Sequence, residues 1–369
     1  MLRRILQWGV GTALFIPAAG MAQSLDYPYA VAFQTVRLVH TPVDETKLES
    51  GALSARLNLR WINVWSLQDE RFLIDGEEFQ AGTTLRYQLS ERLQFGGSAV
   101  LIGHGGGSLD RMIEWFHRTT GVTQGQRDRY PRDRFNVSYE PYGPYYPLLK
   151  PPGPDDRGPG NRSYPRSSLE PPVEFSDQLR VLALASAVPE AEEIAGAGIT
   201  RTGVGDPNVF AQLLLYESAD WLERVNLGLN VKFAGRGAEQ IVTPGTDVTA
   251  SLSAGQAWIP GLLHSSLGVS YTHYRLQRYR ELELPPGQWV VRPRLELRLN
   301  QITWFGEYVY FSRPVLDFGE LSRDGHQVAL GLVSHREQVD VTFAIVENFV
   351  TFGVTPDIGF QVSAEWRAL

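Results

Sequence analysis

The chain has 369 residues, of which 43% are hydrophobic, and its 34 Lys and Arg against 41 Asp and Glu give a formal net charge of −7. It contains no Cys, which excludes a thiolate metal site, a disulfide scaffold and a lipid-anchored lipoprotein. The acidic balance provides no electrostatic footprint for nucleic acid, so no nucleic-acid partner is expected.

The first residues predict a secretory signal peptide over 1–22. Arg3 and Arg4 precede an apolar run over 5–20, and Gly20-Met21-Ala22 forms a small-x-small cleavage site. The run is shorter than the ~20 apolar residues that a spanning helix needs. We therefore expect an exported chain in which 23–369 forms the mature domain.

Many segments of that domain alternate apolar and polar residues, as strands of a transmembrane barrel do. The clearest is 224–233, with apolar residues at every odd position. The same alternation is present at 53–67, 79–90, 247–258, 289–299, 339–345 and 358–367, and more loosely at 92–103, 263–273 and 326–335, while 206–216 and 302–312 are apolar on both faces. The predicted fold is all-β: a transmembrane antiparallel up-and-down barrel of about 12 strands, or 14 if 135–140 and 175–188 both span.

Connection lengths support a barrel, because outer-membrane barrels alternate short periplasmic turns with longer outer loops. Tight links are predicted at 90–91, 218–221, 259–262, 300–301 and 337–338, and longer ones at 68–78, 235–246, 276–287, 313–325 and 348–356. A soluble periplasmic β-sandwich is the alternative, because its sheets also have one wet face. Aromatic girdles favour the barrel, and their candidate members are Trp61, Trp65, Trp258, Trp289, Trp304 and Trp366.

An insert over 104–178 interrupts the alternation. It begins with a predicted amphipathic helix over 108–119, with Ser108 as its N-cap and Gly121 at its end. The apolar stripe of this helix consists of Leu109, Met112, Ile113 and Phe116. Because so short a helix is marginal by itself, we expect the stripe to dock on the barrel mouth or inner wall as a lid or plug.

The rest of the insert is charged and then irregular. The Arg-rich run over 127–134 is expected to meet acidic groups or the phosphates of lipopolysaccharide, and 141–172 is a Pro-rich loop. As a barrel, the protein is expected to contact membrane lipid and the outer-membrane assembly machinery; its oligomeric state stays open.

Three stretches of the chain resemble domain-of-unknown-function family 3187, a group of proteobacterial envelope proteins. They are GGGSLDRMIEWFHRTTGVTQGQRDRYPRDRFNV, TGVGDP at 202–207, and ENF followed by PDIGFQVSAEWR. The resemblance covers roughly the whole mature chain and implies an outer-membrane barrel without an assigned activity. It transfers no catalytic residues.

Turning the polar phase of each strand inward fills the predicted lumen with cations. The candidate lumen cations are Arg56, Arg60, Arg86, Arg224, Lys232, Arg292, Arg294 and Arg298, with Arg92 and Arg367 beside them. The candidate anions are Asp247, Glu296, Glu307, Asp340 and Glu365. We interpret this first as a passive channel or transporter for small, anionic solutes. A plugged structural or surface-interaction barrel and an outer-membrane lipid-modifying enzyme are the alternatives.

Chemical motifs add little to these hypotheses. Glu114 and His117 have the E-x-x-H spacing of di-iron bundles, but only one copy is present, so a polar helix face with a Glu114 to Arg118 pair is expected instead. The chain has no G-x-S-x-G, and nothing selects His264 or His335 for a hydrolytic site. No catalytic residue, cofactor or metal is predicted.

Overall fold

The computed structural model describes residues 48–68, 72–106, 108–121, 127, 132–133, 136–139, 199–218, 221–234, 245–279, 282–316, 319–348, 355 and 357–368. The predicted signal peptide at 1–22, the Pro-rich loop at 141–172 and the segment 175–188 lie outside these residues. Among the described residues, no helix is long and apolar enough to cross a membrane.

Strands make up most of the described chain. They are β1 (Leu53–Gln68), β2 (Phe72–Gln88), β3 (Leu93–Gly105), β4 (Asn136–Tyr139), β5 (Ile199–Val204), β6 (Asn208–Glu217), β7 (Leu222–Lys232), β8 (Asp247–Ile259), β9 (Leu263–His273), β10 (Arg278–Tyr279), β11 (Leu282–Glu283), β12 (Gly287–Leu299), β13 (Ile302–Phe311), β14 (Gly325–His335), β15 (Val339–Asn348) and β16 (Ile358–Ala368). The helix α1 (Asp110–Thr120) follows β3, and a 3-10 helix (Gly319–Ser322) follows β13.

Twelve of these strands close into one antiparallel barrel, as the sequence predicts. Neighbouring strands pair in the circular order β1, β2, β3, β6, β7, β8, β9, β12, β13, β14, β15, β16, and β16 pairs back onto β1. The short strand β4 pairs only with the outer end of β2, and β5 only with that of β3. Segment 135–140 therefore contributes an edge strand and no additional span.

The alternation predicted from the sequence separates the two faces of the wall. In β7, the side chain of Leu229 is 50% exposed on the outer face, whereas Asn230 beside it is 4% exposed on the inner face. Successive residues of a strand point to opposite faces, so the outer surface is apolar and the lumen polar. This inversion of a soluble protein is what a lipid-facing barrel requires.

All five predicted tight links join consecutive barrel strands, and four of the predicted longer connections lie at the opposite end. The fifth, 68–78, is wrong. Gln68 pairs with Phe72, so both β1 and β2 continue through this region. The outward positions near this end, Asp75 and Glu77, are polar, and the alternation that reveals a lipid-facing strand therefore ends before the strand does.

Five of the six predicted girdle tryptophans are exposed on the outer face, namely Trp61, Trp258, Trp289, Trp304 and Trp366. Trp65 is the exception, at 6% exposed. It lies beyond Trp61 on the extended part of β1, where the guanidinium of Arg127 covers its ring with 5.2 Å to the centroid. Trp65 therefore belongs to a contact with the insert and not to a girdle.

One wall of the lumen is apolar. Its buried side chains are Val290, Phe305, Val309, Phe311, Ala329, Val333, Ala344 and Val346, from β12 to β15. Phe305 is in register with Gly331 on β14, and a Cβ on Gly331 would collide with the ring of Phe305. The guanidinium carbon of Arg294 also lies over this ring, 3.9 Å from its centroid. The apolar inward positions explain why 302–312 reads as apolar on both faces.

Candidate functional site

The lumen is crossed by ion pairs, beginning at the seam between the first and last strands. Glu365 on β16 is buried and accepts hydrogen bonds from Arg56 at 2.9 Å and from Arg86. Arg56 and Arg86 stand on β1 and β2, so one carboxylate connects three neighbouring strands. Arg60, four residues further along β1, donates to the amide oxygen of Gln80 at 2.8 Å.

A second network lies on β12 and β13. Glu307 accepts from Arg292 at 2.6 Å and from Arg294 at 3.4 Å. Glu296 accepts from Arg294 at 2.8 Å and from Arg298 at 3.2 Å. The carboxylates are thus shared between arginines, which are held in fixed positions on the lumen wall.

Three further candidate cations occupy three different settings. Lys232 lies between two carboxylates, 2.8 Å from Asp206 and 3.4 Å from Asp247. Arg224 pairs with Glu217 at 2.8 Å near the periplasmic end. Arg92 is misplaced in the sequence prediction, because it lies exposed in the turn between β2 and β3 and not on a strand.

One lumen pair escapes sequence reasoning altogether. His104 Nε2 lies 2.7 Å from Glu78 Oε2, and both side chains are buried. Glu78 falls in the segment that the sequence assigns to a loop, so its inward position on β2 could not be recognised. The alternation in β1 continues as far as Leu67. Extending β2 to match the length of β1 would have placed Glu78 correctly.

A hydrogen-bonded chain at the periplasmic end has the connectivity of a Ser-His-Asp triad. Thr303 Oγ1 lies 2.9 Å from His335 Nε2, and His335 Nδ1 lies 3.0 Å from Asp340 Oδ1. Thr303 is only 1% exposed, however, and Arg367 also binds Asp340. A hydroxyl so enclosed cannot reach a lipid ester, so this arrangement orients His335 within the wall.

The helix α1 is anchored at its N-terminus by the barrel wall. Leu109 precedes it without a side-chain cap, and Glu77 on β2 takes that role by accepting the amide protons of Ser108, at 2.8 Å, and of Leu109. A carboxylate here also complements the helix dipole. The prediction of Ser108 as N-cap is therefore wrong, whereas Gly121 ends the helix with a left-handed φ of 76° as expected.

The apolar stripe of α1 packs against β16. Leu109 and Ile113 are buried against Ile358, with Met112 and Phe360 packed beside them, and Phe116 is half-buried. Ile358 and Phe360 belong to the outward phase of β16, the phase that faces lipid further along the strand. The stripe thus contacts the outer side of the wall and not the lumen; a gating role for the helix stays a prediction.

Through Arg127, the buried polar face of α1 meets the outer ends of β1 and β2 and the residue that precedes β16. This guanidinium donates to Asp357 at 2.8 Å and to Asn63, and lies 3.5 Å from Asp110. Asp110 in turn accepts from Asn63 at 3.3 Å. One cation is therefore surrounded by polar groups from the helix and the wall.

Glu114 connects α1 to the chain that follows it. It accepts from Arg132 at 2.5 Å and from Arg118 at 3.2 Å, which confirms the predicted pair with Arg118. Hydrogen bonds from Arg132 have the largest effect on the pKa of Glu114 and lower it. The charge of Arg132 and the hydrogen bond and charge of Arg118 lower it further. Together they outweigh burial and hold the pKa of Glu114 below its usual range. Glu114 is thus committed to arginine.

His117, four residues from Ile113 on the same helix, lies instead beside two carboxylates. One nitrogen of His117 and one oxygen each of Glu347 and Asp357 lie within 4.8 Å of one another. The E-x-x-H spacing therefore does not define a joint site for its two residues.

A family model described as "Protein of unknown function (DUF3187)" matches residues 25–145 and 199–368. The chain belongs to the DUF3187 family. No curated protein matches it at a significant level.

Solved structures similar to this DUF3187 protein are outer-membrane barrels. The COG4313 outer membrane channel from Pseudomonas putida F1 is 9% identical, with a TM-score of 0.51, over 87% of this chain and 97% of that one. The translocator domain of autotransporter NalP from Neisseria meningitidis is 7% identical, with a TM-score of 0.38, over 87% and 90%. The CymD monoaromatic hydrocarbon channel is 11% identical, with a TM-score of 0.33, over 87% and 88%. The similarity to the COG4313 channel shows that the two chains share a fold.

Proposed function

We propose that this DUF3187 protein is a gated outer-membrane channel for small solutes, anionic ones among them. The observation that carries the proposal is a closed barrel whose inner face holds fixed, ordered arginines. Charged side chains arranged along a lumen select and concentrate ions of opposite sign. Most of these cations are buried and bound to carboxylates, so we infer that the described state is closed and that conduction requires the ion pairs to separate.

Sharing of carboxylates supports the preference for anions. Within the β12–β13 network, two carboxylates, Glu296 and Glu307, serve three arginines, Arg292, Arg294 and Arg298. Among these five described side chains, the arginines outnumber the carboxylates by one. Lys232, between two carboxylates, is a local exception.

Planar-bilayer recording of the purified, folded full chain tests the proposal. The wild type should open rarely, and Glu307→Gln should open more often because Arg292 and Arg294 lose their shared carboxylate. Glu337→Gln, in an exposed periplasmic turn, is the matched control. Reversal potentials in a KCl gradient should indicate anion selectivity. Silence of folded wild type and Glu307→Gln alike would reject the channel.

The second candidate is a structural or surface-interaction barrel with an occupied lumen. Burial of the lumen cations supports it, because extensive pairing fills a barrel of this size with side chains. The structural barrel is favoured if neither the wild type nor Glu307→Gln conducts ions while both remain heat-modifiable. A lipid-modifying enzyme receives no support from the Thr303 arrangement, because its hydroxyl is buried.

We further propose an outer-membrane location, reached through a cleaved signal peptide at 1–22, with β16 presented to the assembly machinery. Lipopolysaccharide is the proposed partner of the solvent side of α1, where Arg111, Arg118 and Trp115 are exposed. Arg pairs readily with phosphate, and Trp prefers the membrane interface. Replacing Arg111 and Arg118 with Gln should reduce lipopolysaccharide that copurifies with the protein. Extraction of the native protein in a soluble periplasmic fraction would contradict the location.

A further inference from the structure

We infer that His117, Glu347 and Asp357 bind a divalent transition-metal ion, of the zinc or manganese class, that ties the surface helix to the barrel rim. The three residues come from separate parts of the chain. His117 lies in the last turn of α1, Glu347 at the outer end of β15, and Asp357 immediately before β16. The fold alone brings them together.

Their geometry is close to that of a metal site. The three ligand atoms lie within 4.8 Å of one another, and His117 Nε2 is 3.7 Å from Asp357 Oδ1. Around a zinc ion bonded at about 2.0–2.2 Å, ligand atoms stand roughly 3–4 Å apart. Small rotations of the Glu347 and His117 side chains therefore complete the coordination.

The site contains polar atoms that the described part of the protein leaves unsatisfied. Both ring nitrogens of His117 and both carboxylate oxygens of Glu347 are buried, and no described residue forms a hydrogen bond with them. His117 is only 2% exposed. Buried polar groups almost always have partners, so an imidazole and a carboxylate aimed at the same point indicate a missing cation.

Asp357 is already oriented for this role. Its Oδ2 accepts from Arg127 at 2.8 Å, while Oδ1, which also accepts a 3.4 Å bond from Asn348, faces His117. An outer partner that fixes a ligating carboxylate is typical of metal centres. Arg127 is already shared among three carboxylates, those of Asp75, Asp110 and Asp357, and the Glu347 carboxylate lies beside Asp357.

The ligand set limits the kind of ion. One imidazole with two carboxylates suits Zn²⁺ or Mn²⁺, whereas Ca²⁺ and Mg²⁺ prefer oxygen ligands alone and Cu⁺ prefers sulfur. Three protein ligands leave a further position for water or an external group. The competing arrangement without metal is a protonated His117 held directly by the two carboxylates.

Zn²⁺ titration of the chelator-stripped full chain in detergent micelles distinguishes these arrangements. Calorimetry should find one strong site per chain, and Glu347→Gln or His117→Ala should weaken binding about tenfold or more. His273→Ala removes an exposed histidine at the outer end of β9 and should leave that site unchanged. Zn²⁺ should also protect the chain around α1 from limited proteolysis in the wild type alone.

Two outcomes overturn the site. One is a folded wild type that binds neither Zn²⁺ nor Mn²⁺. The other is strong binding that persists in both ligand variants, because the ion then sits elsewhere. Heat modifiability of each variant verifies that its barrel is folded, so a lost site cannot be confused with a lost fold.

Discussion

Arg56 and Glu365 lie opposite each other in register on the first and last barrel strands, with Nη2 and Oε2 2.9 Å apart. Both side chains are buried in the lumen, where water screens the pair little. The seam that closes the cylinder is therefore held by an interior ion pair in addition to its backbone ladder.

Glu365→Gln should weaken this seam. Arg56 and Arg86 would lose their shared carboxylate, and leaving a buried charge without its partner typically costs about 3–5 kcal/mol. We expect the urea midpoint of the heat-modifiable form to fall in lipid vesicles. Glu337→Gln in a turn is the control, and equal midpoints for the two variants would show that the pair adds nothing to the seam.

The assignment of faces in β7 predicts opposite results for adjacent arginines. Leu229→Arg places a charge toward lipid, at a cost of about 2–4 kcal/mol near the bilayer centre, whereas Asn230→Arg adds a charge to a polar lumen. Folding yield into vesicles should fall sharply only for Leu229→Arg. Similar yields would mean that the strand faces the other way.

Gly331→Val tests the packing of Phe305. A side chain at Gly331 collides with the phenyl ring, over which the guanidinium of Arg294 also lies. We expect a loss of roughly 1–3 kcal/mol from overpacking, measured by urea unfolding. Gly82→Val, at an inward position where the nearest atom to an added Cβ is 3.8 Å away, is the control and should be tolerated better.

Ile113→Asp tests the position of α1. The substitution buries a charge against Ile358, so the helix should detach while the barrel remains heat-modifiable. Because the stripe lies on the outer side of the wall, conductance should stay unchanged and proteolysis of the insert should accelerate. A rise in conductance would instead support the lid predicted from the sequence.

Acid should loosen the link between α1 and the residues that follow it. The pKa of Glu114 is lower in the folded than in the unfolded chain, so its contribution to stability is present above the unfolded value of about 4.3 and is lost as the pH falls through the folded value. Amide exchange in α1 should accelerate over that acidic range. In Glu114→Gln it should be fast already at neutral pH, and a variant that matched the wild type would contradict this role.

The sequence predicts the barrel wall well where one face meets lipid. Leu229 and Asn230 illustrate this, since the alternation assigns each to its face and identifies the strand. Above the lipid band the rule stops, because Asp75 and Glu77 are polar although they point outward. The alternation therefore predicts a loop for the outer part of β2 and does not reveal Glu78 or its partner His104.

Contacts between distant segments were equally invisible. Nothing in the residues around His117 indicates that Glu347 and Asp357 will lie beside it, because pairing of β15 with β16 and docking of the helix create that proximity. The prediction of the α1 N-cap is wrong for the same reason. Ser108 fits the local preference for an N-cap, but its own amide donates to the carboxylate of Glu77 on β2.

The polar extension of β1 and β2 also fixes the order in which the molecule assembles. Asp75 and Asn63 stand on the lipid-facing phase of strands whose tips must cross the bilayer, while Arg127, which later covers them, lies in the insert beyond β3. An unshielded carboxylate such as that of Asp75 is costly at that depth, so we expect the hairpin to emerge before the helix packs on it. We therefore predict that docking of α1 is a separate folding step that follows insertion of the barrel.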